Sequence, residues 1–312
     1  MRVGITGVAS DLGNLLLPRL LANPHVSTVV AFDVSRPTHD DCEYVNIDLT
    51  RPDGAAELSR AFAESKIDAL YHLAFVNSRV HGATFAHELE IIGTLHVLAA
   101  AGEIGISRLI VPSLTTLYGA TAHGPTWLTE QHPLHGCHGS RFITDRVDVE
   151  KHVRQWSARH PGSHTVTLRF APIIGPQSDN PLTRLLKSKI VPTVMGFDPL
   201  WQLLHEDDAG RALEQALTTR HSGAFNLAAT EPVPLSRLIR QAGARQLPLP
   251  EVGWKVAVQL RESLGMTATP QSLMQLLKFS CLADTSRART ELNFNPMYST
   301  AEALRSFAEG GR

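Results

Sequence analysis

Short apolar runs alternate with longer helical patterns through residues 1–170, and this alternation constrains the fold more than any other feature. Each short run is typical of a buried strand, and each longer amphipathic stretch is typical of a helix that covers the strands. The alternation therefore predicts an α/β fold with a doubly wound parallel sheet. The predicted strands are Arg2–Thr6, Thr28–Asp33, Tyr44–Ile47, Ala69–Ala74, Leu109–Pro112 and Thr165–Phe170.

Helices are predicted between these strands, beginning near Asp11, Gly54, Thr84 and Arg141. The third helix, over residues 84–102, carries a row of apolar side chains on one side, which predicts packing on the sheet. That row consists of Leu89, Ile92, Leu95, Val97 and Leu98.

Prolines become frequent after Phe170, which indicates a smaller and less regular region. A helix over residues 206–219 and a strand over residues 224–228 are nevertheless predicted to return to the main sheet. The second region is therefore interleaved with the first. In this division, the first domain comprises residues 1–170 together with residues 203–230, and the cap region comprises residues 171–202 and 231–312.

The composition excludes several classes of protein. The chain has 312 residues and a formal net charge of −1, which gives no reason to expect nucleic acid or an anionic membrane as a partner. Its 15 histidines and 3 cysteines lack the spacing of a metal site or a disulfide framework. Met1 leads directly into a strand, and no apolar run reaches the roughly 20 residues of a spanning helix. We expect a cytoplasmic protein that binds a small molecule.

The loop after the first predicted strand has the pattern of a dinucleotide site. Gly7 would permit a tight turn, and Gly13 would allow the following helix to pack closely on the strand. Ser10 takes the place of the middle glycine. The free N–H groups at the helix N-terminus would then face a pyrophosphate. The residues expected to contact it are Gly7, Ser10, Asp11, Leu12 and Gly13.

A second dinucleotide signal is Asp33, which ends the strand Thr28–Asp33. A carboxylate about 20 residues beyond the glycines can bind the ribose hydroxyls of adenosine and repel a 2′-phosphate. This position favours NAD over NADP. Arg36 lies close by in sequence, and it could cover the adenine or pair with Asp33.

With these residues and the segments given below, the chain resembles the extended short-chain dehydrogenase/reductase superfamily, specifically its NAD-dependent epimerase/dehydratase group. The resemblance implies a Rossmann-type fold. Each match is short, but their order and spacing agree along nearly the whole chain. The matching segments are Asn46-Ile47-Asp48-Leu49, Asp68-Ala69-Leu70-Tyr71-His72-Leu73-Ala74, Gly93-Thr94 with Glu90 where Asn is usual, Ser113-Leu114-Thr115-Thr116-Leu117-Tyr118-Gly119, Leu168-Arg169-Phe170, His205-Glu206-Asp207-Asp208, Phe225-Asn226-Leu227 and Leu282-Ala283-Asp284-Thr285.

The resemblance implies NAD as the cofactor, and it assigns further residues to the cofactor site. Asp48 and Leu49 match the pair that contacts adenine in the family. Arg146 takes the position of a lysine that holds the nicotinamide ribose, and guanidinium donors can serve the same hydroxyls. The implied set is completed by Leu73, Ala74 and Pro172.

The residues that usually carry the family's chemistry are changed. The resemblance implies a Ser that orients the substrate hydroxyl and a Tyr-x-x-x-Lys pair that moves a proton, but these positions hold Leu114, Phe142 and Arg146. Glu150 fixes this register, because the family often has Glu four residues beyond its Lys. No tyrosine lies between Tyr118 and Tyr298, so no small shift of the alignment restores the phenol.

Other residues could take over part of the chemistry. Thr115, Thr116 and Tyr118 follow the same strand, and together with Arg146 they are the candidate catalytic residues. Tyr118 also fits simple packing. Asp145, His135 and His138 lie close in sequence to the vacant position, where an imidazole could act near neutral pH, although a solvent-facing loop is the simpler interpretation of the histidines. Cys137 is interpreted as a plain thiol.

The substrate side also departs from the nucleotide-sugar pattern. The chain has Arg169-Phe170-Ala171-Pro172 where sugar-nucleotide epimerases resemble Arg-Tyr-Phe-Asn. It has Trp201-Gln202-Leu203-Leu204-His205 where they often show Arg-Asp-Tyr-Ile-His. An amide and an arginine that would contact a diphosphate are therefore both missing. Trp201, Phe75 and Phe142 indicate a more apolar pocket, although Trp201 could equally be core packing.

Three functions remain open from the sequence. The first is an NAD-dependent oxidoreductase or epimerase that acts on a hydroxyl or carbonyl compound with non-standard acid/base residues. The second is a catalytically inactive NAD-binding sensor, and the third, least favoured, is a nucleotide-sugar 4-epimerase. Family analogy implies a homodimer through the helices over residues 84–102 and 141–159. The segments over residues 254–261 and 273–277 are predicted to be helices of the cap region.

Overall fold

The computed structural model describes residues 1–37, 39–75, 83–136, 140–253, 256 and 271–310. Its strands are β1 (Arg2–Thr6), β2 (Thr28–Asp33), β3 (Glu43–Asn46), β4 (Ala69–His72), β5 (Arg108–Leu114), β6 (Trp127–Leu128), β7 (His164–Phe170), β8 (Ile173–Ile174), β9 (Ile190–Val194), β10 (Leu200–Trp201), β11 (Leu204–His205), β12 (Gly223–Leu227), β13 (Val233–Pro234), β14 (Arg245–Leu249) and β15 (Leu282–Ala283).

The helices of the described residues are α1 (Asp11–Leu21), α2 (Gly54–Ser65), α3 (Ala83–His87), α4 (Thr94–Ile104), α5 (Arg141–Arg159), α6 (Pro181–Lys187), α7 (Glu206–Ala216), α8 (Leu235–Gln241), α9 (Gln271–Leu276), α10 (Ser286–Glu291) and α11 (Thr300–Gly310). A π-helical segment, Glu88–Gly93, joins α3 to α4, and a 3₁₀ turn, Thr115–Tyr118, follows β5. None of the described helices is long and apolar enough to cross a membrane.

Seven parallel strands form the main sheet in the order β12-β7-β5-β4-β1-β2-β3. This arrangement confirms the predicted doubly wound α/β fold. The strand order reverses at β1, because β2 and β3 follow on one side of it and β4, β5, β7 and β12 on the other. Ligands of such sheets bind at the carboxyl ends of the strands near this point. Thr6, the last residue of β1, pairs with Phe32 of β2 and His72 of β4. The glycine loop therefore starts at the centre of the sheet's carboxyl edge.

Two apolar cores cover the two faces of this sheet. One core joins β1, β7 and β12 to α1 and α7, with Leu16, Leu213 and Phe225 fully buried. The other contains Phe62 of α2 and Val97 of α4. Burial on both faces explains why the strands read as continuous apolar runs rather than alternating ones.

A third core cluster lies among residues 174–307, outside the main sheet, and includes Trp201, Leu238 and Leu304. The strand β12 and the helix α7 contribute instead to the core of the main sheet. We therefore propose the same division into a first domain and a cap region that the sequence suggests. Of the predicted cap helices, the one over residues 254–261 lies almost entirely outside the described residues, whereas α9 contains most of the second.

The predicted helix over residues 84–102 is interrupted, and part of its predicted face is wrong. The π-helical segment Glu88–Gly93 adds residues to one turn and rotates the rest of the helix about its axis. Val97 and Leu98 are buried as expected. Ile92 and Leu95 are instead 37% and 39% exposed, because the wider turn carries them away from the sheet.

Candidate functional site

The glycine loop has the geometry that a dinucleotide site requires. Gly7 has a φ of +76°, and a Cβ added there would lie 2.4 Å from the backbone of Ala74. A Cβ added to Gly13 would lie 2.2 Å from the carbonyl oxygen of Val8. The Ser10 hydroxyl accepts a hydrogen bond from the Gly13 N–H at 3.1 Å and caps α1. Both glycines are thus required by close packing, and the N-terminus of α1 is fixed beside the loop.

Asp33 connects the adenosine side of the site to this loop. Its carboxylate accepts hydrogen bonds from the backbone N–H groups of Ala9 and Ser35, at 3.1 and 3.0 Å. The Arg36 guanidinium lies over the Tyr44 ring, 5.2 Å from its centroid, and both of its predicted roles stay predictions. The carboxylate is therefore held at the mouth of the glycine loop, where the ribose of a bound adenosine would lie.

The remaining predicted cofactor residues are distributed around the same edge. Asp48 accepts hydrogen bonds from the backbone and hydroxyl of Thr50, and Leu49 is buried against Gly93. Leu73 and Ala74 are buried next to the glycine loop. Pro172 lies further across the sheet, where it lines a narrow cavity beneath the cap region.

A buried hydrogen-bonded chain runs from the glycine loop to the π-helical segment. Thr6 Oγ1 lies 2.7 Å from His72 Nδ1, and His72 Nε2 lies 2.9 Å from Thr94 Oγ1. The Thr94 hydroxyl donates to the Glu90 carbonyl, so Nε2 must donate to Thr94 and Nδ1 must accept from Thr6. Burial, with a smaller effect of Arg146, lowers the pKa of His72 to about 3. The imidazole is therefore neutral and fixed in one tautomer.

Arg146, expected at the nicotinamide ribose, forms a buried ion pair. Its Nε lies 3.1 Å from Glu90 Oε2, with side chains 10% and 1% exposed. The guanidinium also lies 4.0 Å from the centroid of Phe75 and 5.4 Å from that of Phe142. Burial lowers the pKa of Arg146, and Glu90 opposes this shift. Glu90 and Arg146, both of which differ from the residues that the family resemblance implies, are thus partners.

Leu114 and Phe142, which the family resemblance places at the usual Ser and Tyr positions, contribute to one small apolar cluster. Leu114 and Phe142 both pack against the buried pair Leu117 and Ile143. Neither side chain can donate or accept a proton. Both side chains serve packing here, and the absence of the family's proton-transfer groups from these two positions stays a prediction.

Tyr118 lies in a polar network under the site. Its hydroxyl donates to Asn226 Oδ1 at 2.8 Å and accepts from Arg169 at 2.7 Å. Arg169 in turn binds both oxygens of Glu150. Burial raises the pKa of Tyr118 to about 12, although the positive charge of Arg169 opposes the shift. With its hydroxyl bonded on both sides, Tyr118 fits the packing interpretation rather than a catalytic one.

Thr115 and Thr116 line a narrow cavity between the sheet and the cap region. The other lining residues are Pro172, Leu200, Trp201, Gln202, Leu276, Phe279 and Cys281. The Cys281 thiol donates to the Thr115 carbonyl at 3.5 Å, and burial raises the pKa of this thiol to about 12. Cys281 is therefore a neutral thiol, and the two threonines are the hydroxyl groups at this edge of the cavity.

One pair near the site, His87 and Asp145, was not predicted from the sequence. His87 Nδ1 lies 3.0 Å from Asp145 Oδ1, one helical turn before Glu90. Local spacing gives no signal for this contact, because His87 and Asp145 lie 58 residues apart on different helices. His135 is exposed on its loop, whereas Cys137 and His138 lie outside the described residues. Among the described residues, no group of three or more potential ligands could hold a metal ion.

The parallel sheet, the glycine loop and Asp33 together define a dinucleotide-binding α/β protein. The family model of the NAD dependent epimerase/dehydratase family matches residues 3–228. The chain therefore belongs to this family, whose cofactor is NAD.

Relatives and solved structures agree with this family. An uncharacterized protein of Mycobacterium tuberculosis is 31% identical over 315 residues, which cover 98% of this chain and 83% of the relative. The 3-diazoavenalumate denitrifying reductase of a Streptomyces species is 27% identical and covers 96% of this chain and 97% of its own. The crystal structure of UDP-glucose 4-epimerase from Thermotoga maritima shares the fold with a TM-score of 0.76 at 18% identity, covering 100% of this chain and 99% of its own.

Proposed function

We propose that the protein is an NAD-dependent oxidoreductase that acts on a hydroxyl or carbonyl group of a small molecule without the family's tyrosine. The observation that carries this proposal is the shared location of two features. The tightly packed glycine loop with Asp33 and the cavity lined by Thr115 and Thr116 both lie at the carboxyl edge of the sheet. Bound NAD supplies the acceptor, or in its reduced form the donor, of a hydride.

The chain's own residues divide the remaining work. Gly7, Gly13 and the capped N-terminus of α1 would hold the pyrophosphate, and Asp33 would bind the ribose. The hydroxyls of Thr115 and Thr116 would hold the substrate oxygen and pass a proton between it and solvent. Arg146, already neutralised by Glu90, would keep the nicotinamide side of the cleft dry and ordered.

The electrons and protons of a carbonyl reduction then balance without a phenol. A hydride supplied by bound NADH would add to the carbonyl carbon, the π electrons would move to the oxygen, and a threonine hydroxyl would relay a proton from water to that oxygen. A threonine hydroxyl is a weaker acid than an activated phenol, so this site favours electrophiles that accept hydride easily. The full-length relative whose name is that of a reductase supports this direction of hydride transfer.

Two measurements test the proposal. We expect calorimetry to detect NAD binding, and we expect Gly7→Ala to weaken it at least roughly tenfold because the new Cβ meets the backbone of Ala74. Gly162→Ala is the matched control, since a Cβ there meets nothing within 4 Å. We also expect NADH absorbance to fall when activated carbonyl compounds are added.

A second candidate, an NAD-binding sensor without turnover, is favoured by the apolar residues at the proton-transfer positions, Leu114 and Phe142. If NAD binds but no hydride is transferred to any of the carbonyl compounds or from any of the alcohols tested, the result supports the sensor. If the triple variant Leu114→Ser, Phe142→Tyr and Arg146→Lys also gains no turnover of general family substrates, the substrate cleft rather than the acid/base groups is the cause.

We also propose a homodimer formed through α4 and α5. Their outer faces border a groove lined by Leu95, Trp156 and neighbouring residues, and Leu95 is 39% exposed. A partly apolar groove bordered by polar side chains such as Glu103 and Arg159 is compatible with an interface. Light scattering should give twice the mass of the chain, and Leu95→Asp should shift it towards the monomer.

A further inference from the structure

Two helix–strand units of the cap region carry a one-sided charge. Residues 181–194 hold α6 and β9, and residues 235–249 hold α8 and β14. Together these two segments contain six Lys and Arg residues and no Asp or Glu. The formal net charge of −1, which gives no reason to expect an anionic membrane, is a sum over the whole chain and does not describe this part of its surface.

Four of these cations meet at one corner of the cap region. Because β9 and β14 are parallel, the last turns of α6 and α8 lie at the same end of the strand pair. The Arg245 N–H donates to the Lys189 carbonyl at 3.0 Å, which joins the two units there. The four residues are exposed and form no ion pair with another described residue, and we call this set the basic corner: Lys187, Lys189, Arg240 and Arg245.

Helix chemistry explains only half of the basic corner. A cation in the last turn of a helix stabilises its carboxyl end, which accounts for Lys187 and Arg240. Lys189 and Arg245 lie outside the helices, where this effect does not act. Neighbouring like charges repel one another in the folded protein, and such a surface is typical of one that meets an anionic partner.

Apolar side chains are exposed beside the basic corner. Ile190 is 56% exposed and Leu247 is 47% exposed. Ile190 is the register partner of Arg245, and Leu247 follows Arg245 by two residues, on the same face of β14. Met195, 57% exposed, lies at the other end of the strand pair, where its N–H donates to the Leu249 carbonyl. Exposed apolar side chains therefore accompany both ends of this strand pair.

The outer edge of β14 is unsuited to pairing with a further strand. The Arg245 N–H and the Leu249 carbonyl both bond towards β9, so Gln246 and Pro248, which alternate with them, face away from β9. Pro248 has no N–H, so this edge cannot donate at that position. A strand from a second copy or from a peptide would leave a ladder position unpaired. The side chains, rather than strand addition, therefore determine what binds here.

We propose that this surface docks on an anionic lipid membrane, with the basic corner against the lipid headgroups and with Ile190 and Leu247 in the boundary between headgroups and acyl chains. Cations next to exposed aliphatic side chains match both the charge and the apolar interior of such a surface. Nucleic acid would use the cations alone. The surface shares no residue with the groove between α4 and α5, so it does not compete with the proposed homodimer.

Co-sedimentation of the whole chain with lipid vesicles tests the proposal. The probes are vesicles of phosphatidylcholine and vesicles of equal parts phosphatidylcholine and phosphatidylglycerol. We expect binding to the mixed vesicles only, and weaker binding at higher salt because salt screens the headgroup charge. Equal binding to both vesicles, or binding to neither, would overturn the proposal. Tighter binding to duplex DNA than to the mixed vesicles at the same salt would also overturn it.

A charge variant locates the effect at the basic corner. Lys189→Gln combined with Arg245→Gln should weaken binding to the mixed vesicles roughly thirtyfold, because each cation near such a surface contributes about a factor of five. Arg220→Gln combined with Arg289→Gln is the matched control. It removes the same charge from two exposed arginines that lie outside α6, β9, α8 and β14. An equal loss in the control would show that net charge alone binds the lipid, against the proposal.

An apolar variant tests the entry of side chains into the membrane. Ile190→Ser combined with Leu247→Ser should weaken binding to the mixed vesicles at least roughly tenfold. Met297→Ser is the control, because Met297 is 69% exposed but lies outside both helix–strand units. Unchanged binding in the double variant would refute the proposal. A change in the mass of either double variant by light scattering would assign this face to a second copy instead. Thermal unfolding checks that each variant retains the fold.

Discussion

Two buried arginine–glutamate pairs each have one member on α5, Arg146 and Glu150, one helical turn apart, and they differ in how they are held. Arg169 donates to both oxygens of Glu150, to the Tyr118 hydroxyl and to the Glu130 carbonyl. Among the described residues, the Arg146 Nε lies 3.1 Å from Glu90 Oε2 and its guanidinium lies over the rings of Phe75 and Phe142.

The pKa values of the two arginines shift in opposite directions, in agreement with this difference in bonding. Burial alone would lower the pKa of Arg169, but the hydrogen bonds and charges of Glu150 and Tyr118 raise it. For Arg146, burial outweighs Glu90 and the pKa falls. We interpret the more extensively bonded pair as structural, and we propose that the Arg146–Glu90 pair, beside the predicted cofactor site, responds to a bound ligand.

The largest expected effect comes from breaking the well-bonded pair. Arg169→Met should lower the free energy of unfolding by about 3–5 kcal/mol, because the Glu150 carboxylate is left buried without its cation. Urea unfolding measures this change. Arg51→Met is the control, since both side chains of its pair with Asp53 are 58% exposed and a pair of this kind contributes little to stability. Similar losses in the two variants would contradict the structural role of the Arg169 pair.

The next effect concerns His72, whose neutrality depends on its burial next to Arg146. Its pKa falls from 6.5 to about 3 on folding, so below pH 6.5 the unfolded chain binds a proton that the folded protein excludes. Stability from this group is complete above pH 6.5 and is lost as the pH falls. Between pH 6.5 and pH 4, wild type should lose roughly 3 kcal/mol more than His72→Gln, by urea unfolding at each pH. Parallel pH profiles would show that His72 is not desolvated.

The two pairs also show which features could be predicted from the sequence and which could not. The strands, the glycine loop and Asp33 follow from local patterns, and β1 and β2 have the predicted bounds. The partners of Tyr118 could not be read locally, since Arg169 and Asn226 lie 51 and 108 residues away. Their meeting depends on the pairing of distant strands.

The Glu90–Arg146 pair escaped prediction for a different reason. Each residue was noticed as a departure from the family, but the segment around Glu90 was expected to be a regular α-helix. The π-helical segment changes which side chains face α5. A local change in hydrogen-bond pattern, which side-chain periodicity does not encode, thus determined the contact.

Removing the charge of Glu90 should have a smaller effect than removing Arg169. Glu90→Gln keeps the shape of the side chain, and Arg146 keeps its contact with Phe75, so we expect a loss of about 2 kcal/mol in urea unfolding. Because the pair borders the cofactor site, the NAD dissociation constant should also change, whereas Arg169→Met should leave it unchanged once folded. An unchanged NAD affinity in Glu90→Gln would make both pairs structural.

The smallest effect is expected from Arg146→Lys, which restores the residue that the family resemblance implies. A lysine can still pair with Glu90, but its compact ammonium loses the planar contact with Phe75 and Phe142, so the free energy of unfolding should fall by about 1 kcal/mol. NADH oxidation with a given carbonyl compound should not rise, because Phe142 still cannot supply a proton. Turnover should rise only when Phe142→Tyr is added, since a phenol beside the ammonium has its pKa lowered. A gain from Arg146→Lys alone would mean that the cation, rather than the missing phenol, limits this site.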